Sequence, residues 1–162
     1  MIFLFISIIL FNLIAFQKNK IASMNAMFSI WIFTIAFQNV FDVMVEFKYH
    51  GYWYFDKGID WLGVLAHTLL IPPVNILFLS WFPFVSDLKR KVIYIASWTV
   101  GVIIYEALVL LPEPWGYFHL GWWHLWYELI VVPILLLILL VYYKWIGKLE
   151  VILLESYKYN KQ

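Results

Sequence analysis

The sequence predicts an all-α membrane protein, a polytopic bundle of five transmembrane helices with its amino terminus outside and its carboxyl terminus in the cytoplasm. Three observations predict it. Of 162 residues, 65% are hydrophobic and only 13% charged, whereas water-soluble domains run about 45–50% apolar and about 25% charged. So few charges cannot cover so much apolar surface in water. The apolar residues also fall into five runs of near-spanning length, since a hydrocarbon core of about 30 Å needs roughly 17–25 helical residues. The runs are continuous instead of alternating with period two, which favours helices over barrel strands. Finally, lysine and arginine are sorted into alternate connections.

The first run, MIFLFISIILFNLIAF (residues 1–16), ends at the polar Gln17–Lys20. It lacks a positive amino-terminal flank and a small-residue cleavage site before Gln17, so it reads as a retained, short span instead of a signal peptide. The second runs from about Met24 to Glu46 (24–46) and the third from about Asp60 to Phe84 (60–84). The fourth extends from about Lys91 to Leu111 (91–111), and the fifth from about Trp122 to Trp145 (122–145). The tail, residues 148–162, is expected to extend the last helix along or beyond the inner surface. No repeat or soluble domain interrupts this single membrane unit, residues 1–162.

Orientation follows the positive-inside rule. Lys18 and Lys20 follow the first span; Lys89, Arg90 and Lys91 lie between the third and fourth. Lys144, Lys148, Lys158 and Lys161 follow or end the fifth, and these groups hold nine of the eleven basic residues. Lys48 and Lys57 remain for the other side. The outer connections, FKYHGYWYFDKG (47–58) and PEPWGYFHLG (112–121), are rich in aromatic rings suited to headgroup depth. The bilayer is the first predicted partner. A net charge of +1 and the lack of any nucleic-acid motif argue against a nucleic-acid partner. The chain has no cysteine, which removes disulfides and thiolate chemistry. It also has no Gly-rich phosphate motif, against a P-loop, kinase or Rossmann activity.

On this orientation, seven of the ten acids and all four histidines lie on the outer side. Asp56, Glu113, His50 and His119 read as solvated loop residues. Others lie deeper. Asp42 and Glu46 are one turn apart near the end of the second span. His67 lies about two turns past Asp60 on roughly the same face, and Glu106 is well inside the fourth span. His124 and Glu128 are expected one turn apart at the top of the fifth. An ionisable side chain in mid-bilayer costs roughly 2.5–3.5 kcal/mol, so such residues face a bundle interior or a wet cavity and pair with one another. The pattern predicts an outward-facing polar pocket among spans two to five. Its ligand-binding or proton-handling candidates are His67, Glu106, His124, Glu128, Asp42, Glu46 and Asp60. Within HTLLIPPVN (67–75), Pro72 and Pro73 remove two backbone donors, so the carbonyls around Thr68 and Leu69 need partners or line a cavity.

Three functions fit such a pocket. The first is binding of a small or lipid-like ligand or an ion. The alternative is an intramembrane enzyme. In its metal-dependent form, His67, His124 and Glu128 hold Zn with one position left for an activated water, although no dense ligand motif accompanies them. In its metal-free form, Glu106 or Glu128 donates a proton to a lipid-like substrate. Transport is less well served, because the inner helix halves offer little polar material. The third reading assigns the polar groups to helix packing alone, in a structural subunit. Short loops then leave the lateral helix faces as the contact surface for a second copy or a partner membrane protein.

The segment from about Glu46 to Lys144 resembles a family of small multi-pass membrane proteins of spore-forming Firmicutes. The carrying residues are Tyr54, the run HTLLIPPVNILFLSWFP (His67–Pro83), the stretch from Trp98 to Glu106, and GWWHLWYE (Gly121–Glu128). The resemblance implies a bacterial cytoplasmic membrane and a five-span topology, and it carries no activity. His67 and Glu106 fall on its motifs.

Overall fold

The computed structural model describes residues 1–159; the side chains of Asp42 and of residues 157–159 lie outside the description, as does Lys161. The expectations that rest on the side chains of Asp42 and Lys158, and on Lys161, therefore fall outside what is described. The chain forms a bundle of five helical rods joined by short connections. α1 is Ile2–Lys18 and α2 is Met24–Asp42, the latter continuing as a π-helical turn over Val43–Lys48. The third rod is a stack: α3 (Trp61–Leu65), a π-helical turn (Ala66–Leu70) and α4 (Ile71–Trp81). α5 is Leu88–Val109, and α6, Glu128–Tyr159, is preceded by a 3₁₀ turn at Leu125–Tyr127. Four stretches are long and apolar enough to cross a membrane: Met24–Lys48, Trp61–Trp81, Leu88–Val109 and Leu125–Ser156. α1 is apolar but shorter, at 17 residues.

The helix boundaries have local causes. Ser23 caps α2 by accepting the N–H of Ala26 at 2.9 Å, and Asp60 caps α3 by accepting that of Gly63 at 2.6 Å. Side-chain oxygens at this position satisfy donors that a helix start leaves free. α4 stops at Trp81 because Phe82 precedes Pro83 and takes an extended conformation. α6 is 32 residues long, about 48 Å at 1.5 Å per residue. It outruns a bilayer core, as expected of the tail.

Two short strands, β1 (Tyr52–Tyr54) and β2 (Phe118–Leu120), pair antiparallel, with Trp53 opposite His119. From their composition both segments are expected to be plain connections. An isolated two-stranded sheet is marginal in water, and this one is held by its footing on the helices. Tyr52 and Phe118 are buried beneath it, and Gly51 accepts the N–H groups of Gly121 and Trp123 at 2.8 and 3.0 Å. A Cβ at Gly121 would stand 2.2 Å from the carbonyl oxygen of His50, so the loops touch only because this residue has none. The opposite end of the bundle carries Lys18, Lys20, Lys89, Arg90 and Lys91, with Lys144 and Lys148 on α6. There the N–H of Lys20 donates to Ser80 at 3.2 Å, and Glu150 accepts from Ser23 and Asn25.

The third rod is the centre of the packing. α1 and α2 both lie against α4, while α6 carries α5 and also meets α2. Pro72 and Pro73 sit at the start of α4, where they withhold the donors that would reach the carbonyls four residues back. Those carbonyls belong to Thr68 and Leu69, and each has a replacement donor. Trp31 Nε1 on α2 reaches Thr68 O at 3.2 Å, and Asn12 Nδ2 on α1 reaches Leu69 O at 2.8 Å. Three helices are thereby pinned at one depth. Trp31→Phe and Asn12→Leu are each expected to lower stability in detergent by about 0.6–2 kcal/mol. The Trp31→Phe cost should shrink in a Pro72→Ala background, and the Asn12→Leu cost in Pro73→Ala, because a backbone N–H is restored. Undiminished costs, read from thermal unfolding of the two double variants and the four single ones, would show that the two side chains stabilise in some other way.

Candidate functional site

The seven candidate residues separate into distinct places. Glu46 and His67 occupy the two π-helical turns, both nearly fully buried. His67 Nε2 lies 3.8 Å from Glu46 Oε2, an ion pair whenever His67 is protonated. Glu46 Oε1 also accepts the backbone N–H of Tyr54 at 3.4 Å, which ties β1 to the end of α2. The Tyr54 ring packs edge-on to His67 with centroids 4.7 Å apart. A π turn shifts the register of the residues it carries and recurs at functional positions. Here it brings an acid and a histidine from different helices together.

Asp60 caps α3: one carboxylate oxygen accepts the N–H of Gly63, the other is buried without a hydrogen-bond partner among the described residues, and the residue does not line the cavity described below. His124 also differs from expectation. A continuous helix from Trp122 would place His124 and Glu128 on one face. Instead α6 begins at Glu128, residues 125–127 form a 3₁₀ turn, and His124 is in extended conformation and exposed. The partner of Glu128 is Trp123, whose Nε1 donates to Glu128 Oε1 at 2.6 Å. The set His67, His124 and Glu128 does not assemble. Among the described residues, no group of three or more His, Asp or Glu side chains is placed to hold a metal ion.

Glu106 and Glu128 do come together. Both line one cavity of about 440 Å³ bounded by α2, α4, α5 and α6, near enough for their charges to interact. α5 packs its backbone closely on α6 but reaches α4 through large rings, with Phe78 against Tyr94 and Trp98. The gap left by that stand-off is the cavity. Its roof is the sheet, through Tyr52, Tyr54 and Phe118, together with Tyr117. Phe33, Phe37, Phe41, Trp98 and Tyr105 give the wall its apolar, aromatic character. Lower down the wall are Thr34 and Asn75, which bond to each other at 3.1 Å.

Tyr117 is buried, and its hydroxyl meets that of Tyr105 at 2.7 Å. Burial first, and then the neighbouring Tyr105, push the Tyr117 phenol above its ordinary pKa, so the roof stays uncharged. Glu106 is different from its neighbours. Its Oε2 atom is buried and has no hydrogen-bond partner among the described residues. Neither the tyrosine roof nor Trp123 stands out in the sequence as a site, because aromatic residues are abundant in both outer loops. The alternation of Tyr52 and Tyr54 about Trp53, facing Phe118 and Leu120 about His119, is the signal for the sheet.

No protein-family model, curated protein or solved structure matches this chain. The chemistry of the site rests on its geometry.

The buried pair is expected to behave as a structural unit. Glu46→Ala removes the acceptor of the Tyr54 N–H as well as the partner of His67. A loss of about 3–5 kcal/mol is expected, the range for breaking a buried pair from one side. The double variant Glu46→Ala/His67→Ala should cost less than the sum of the single changes, by about 0.5–3 kcal/mol. Strict additivity in chemical or thermal unfolding would deny the coupling.

Proposed function

We propose that this protein is an integral membrane binding protein whose intramembrane cavity takes a small or lipid-like molecule with a cationic end. The observation that carries this reading is the buried, unpartnered Oε2 of Glu106 in the wall of an otherwise apolar cavity, with Glu128 beside it. A carboxylate oxygen in such a place lacks a donor that a ligand ammonium, guanidinium or similar group supplies. Aromatic faces on the same wall suit a cation further, since a ring attracts positive charge over its face. The apolar remainder accommodates a hydrocarbon body, as ligand cavities of this size generally do.

The basic end of the bundle faces the cytoplasm on this reading, following the positive-inside rule. The sheet-roofed end, with the cavity beneath it, then faces outward. The family resemblance supports a bacterial cytoplasmic membrane as its location. Acid–base catalysis receives less support than binding. Among the described residues, Glu106 and Glu128 line the cavity while His67 is held by Glu46 behind Tyr54.

Equilibrium binding of radiolabelled tetraphenylphosphonium to the full chain in detergent tests the proposal. Saturable binding is expected, weakened about tenfold or more, or by about 1.4 kcal/mol, in Glu106→Gln and in Glu128→Gln. A neutral tetraphenyl analogue should bind no better to wild type than to the variants. Binding that ignores both substitutions, or that does not discriminate charge, would overturn the reading.

A further inference from the structure

A second hollow lies at the basic end of the bundle. It occupies about 460 Å³ between α5 and α6, floored by the connection that follows α4. Phe82, Phe84, Val92, Ile95, Leu137 and Val141 give it an apolar wall, and Lys91 and Lys144 are its two charged residues. Neither lysine is paired with a carboxylate among the described residues. Two of the acids at this end are engaged elsewhere, Asp87 3.5 Å from Arg90 and Glu150 accepting from Ser23 and Asn25, and Glu155 lies eleven residues beyond Lys144 on α6. The hollow therefore combines uncompensated positive charge with an apolar trough.

Its depth matches one leaflet. Along α6 the wall extends from Lys144 back to Pro133, eleven residues or about 16 Å of helix. Half of a hydrocarbon core of about 30 Å is the same length. Lys91 lies in the first turn of α5, so both ammonium groups belong to the end of the trough that meets the membrane surface, where a phosphate sits.

We infer that this cleft is a binding site for an anionic phospholipid, with one acyl chain along the trough and the phosphate between Lys91 and Lys144. Charge complementarity selects a lipid with net negative charge over a zwitterionic one, and the apolar wall selects a lipid over free phosphate. The inference does not depend on the cavity beneath the sheet or on what that cavity binds.

Native mass spectrometry of the full chain, released from nanodiscs of equal phosphatidylglycerol and phosphatidylcholine content, tests it. Phosphatidylglycerol is expected to be retained preferentially. Lys91→Gln and Lys144→Gln should each reduce that retention about fivefold. Lys148→Gln, one turn beyond the cleft, should leave it unchanged. Val141→Trp, which fills the trough and spares both lysines, should reduce it as well. Equal retention of the two lipids, equal loss on Lys148→Gln, or full retention in Val141→Trp would overturn the assignment in favour of general surface charge. Displacement of the lipid by millimolar inorganic phosphate would overturn it in favour of a free anion. A lipid-free dimer that forms as phosphatidylglycerol is withdrawn would give the cleft to a second copy of the chain.

Discussion

Lipid cannot hydrate a carbonyl, and two adjacent prolines in a membrane helix leave two carbonyls in need of donors. Pro72 and Pro73 create that demand at Thr68 and Leu69, and the arrangement of the first three rods answers it. Trp31 and Asn12 are the donors. The remaining N–H of the Asn12 amide is used on its own helix, at Ile8 O. A hydrogen bond of this kind has a fixed length and direction, so it sets the depth and rotation of α1 and α2 against α4 more narrowly than apolar contacts would. Side chains as different as an indole and an amide perform the same task because each presents an N–H at the right depth.

The same irregularity positions the polar groups. Upstream of the prolines the helix widens into a π turn, with the N–H of Ile71 reaching Ala66 O, and His67 lies in that turn. α2 ends in a second π turn carrying Glu46. Between them, these turns bring Glu46 and His67 together under β1, and the sheet built on β1 closes the top of the bundle. α5 is outside this clamp. It depends on α6 for close packing and on Tyr94 and Trp98 for its approach to α4. A cavity consequently opens beside α5, with Phe11 of α1 also reaching its wall.

Much of this is written in the sequence at the level of periodicity and donor counting. Five apolar runs give five helical rods, and the proline pair names the carbonyls that need partners. What is lost is register where a helix begins. His124 and Glu128 are four residues apart, but that spacing has meaning only inside a helix, and α6 starts at Glu128. Trp123 instead folds back onto the carboxylate. Asp60 illustrates another ambiguity: an acid at the edge of an apolar run is either a pocket residue or a cap, and the Gly63 N–H makes it a cap. The β1–β2 pairing is non-local, joining segments more than sixty residues apart. Each strand has only three residues, so its alternation becomes a signal only when the two segments are set against each other.

The buried carboxylates show which part of the site is structural. Glu46 has the Tyr54 N–H and His67. Glu128 has the Trp123 indole and the amino terminus of its own helix, where the peptide dipoles favour negative charge. Both are provided for within the fold. Glu106 is in the middle of a helix, without a helix terminus to favour it, and one of its oxygens has no partner among the described residues. A purely structural role would be better served there by an apolar residue, since an unmet buried polar group costs about 1–3 kcal/mol or more. Asp60 Oδ2 is also buried without a hydrogen-bond partner among the described residues, but it belongs to a helix cap, whereas Glu106 is on the cavity wall beside a second carboxylate. The unpartnered oxygen on the cavity wall distinguishes Glu106 from Glu46 and Glu128, whose partners lie within the fold.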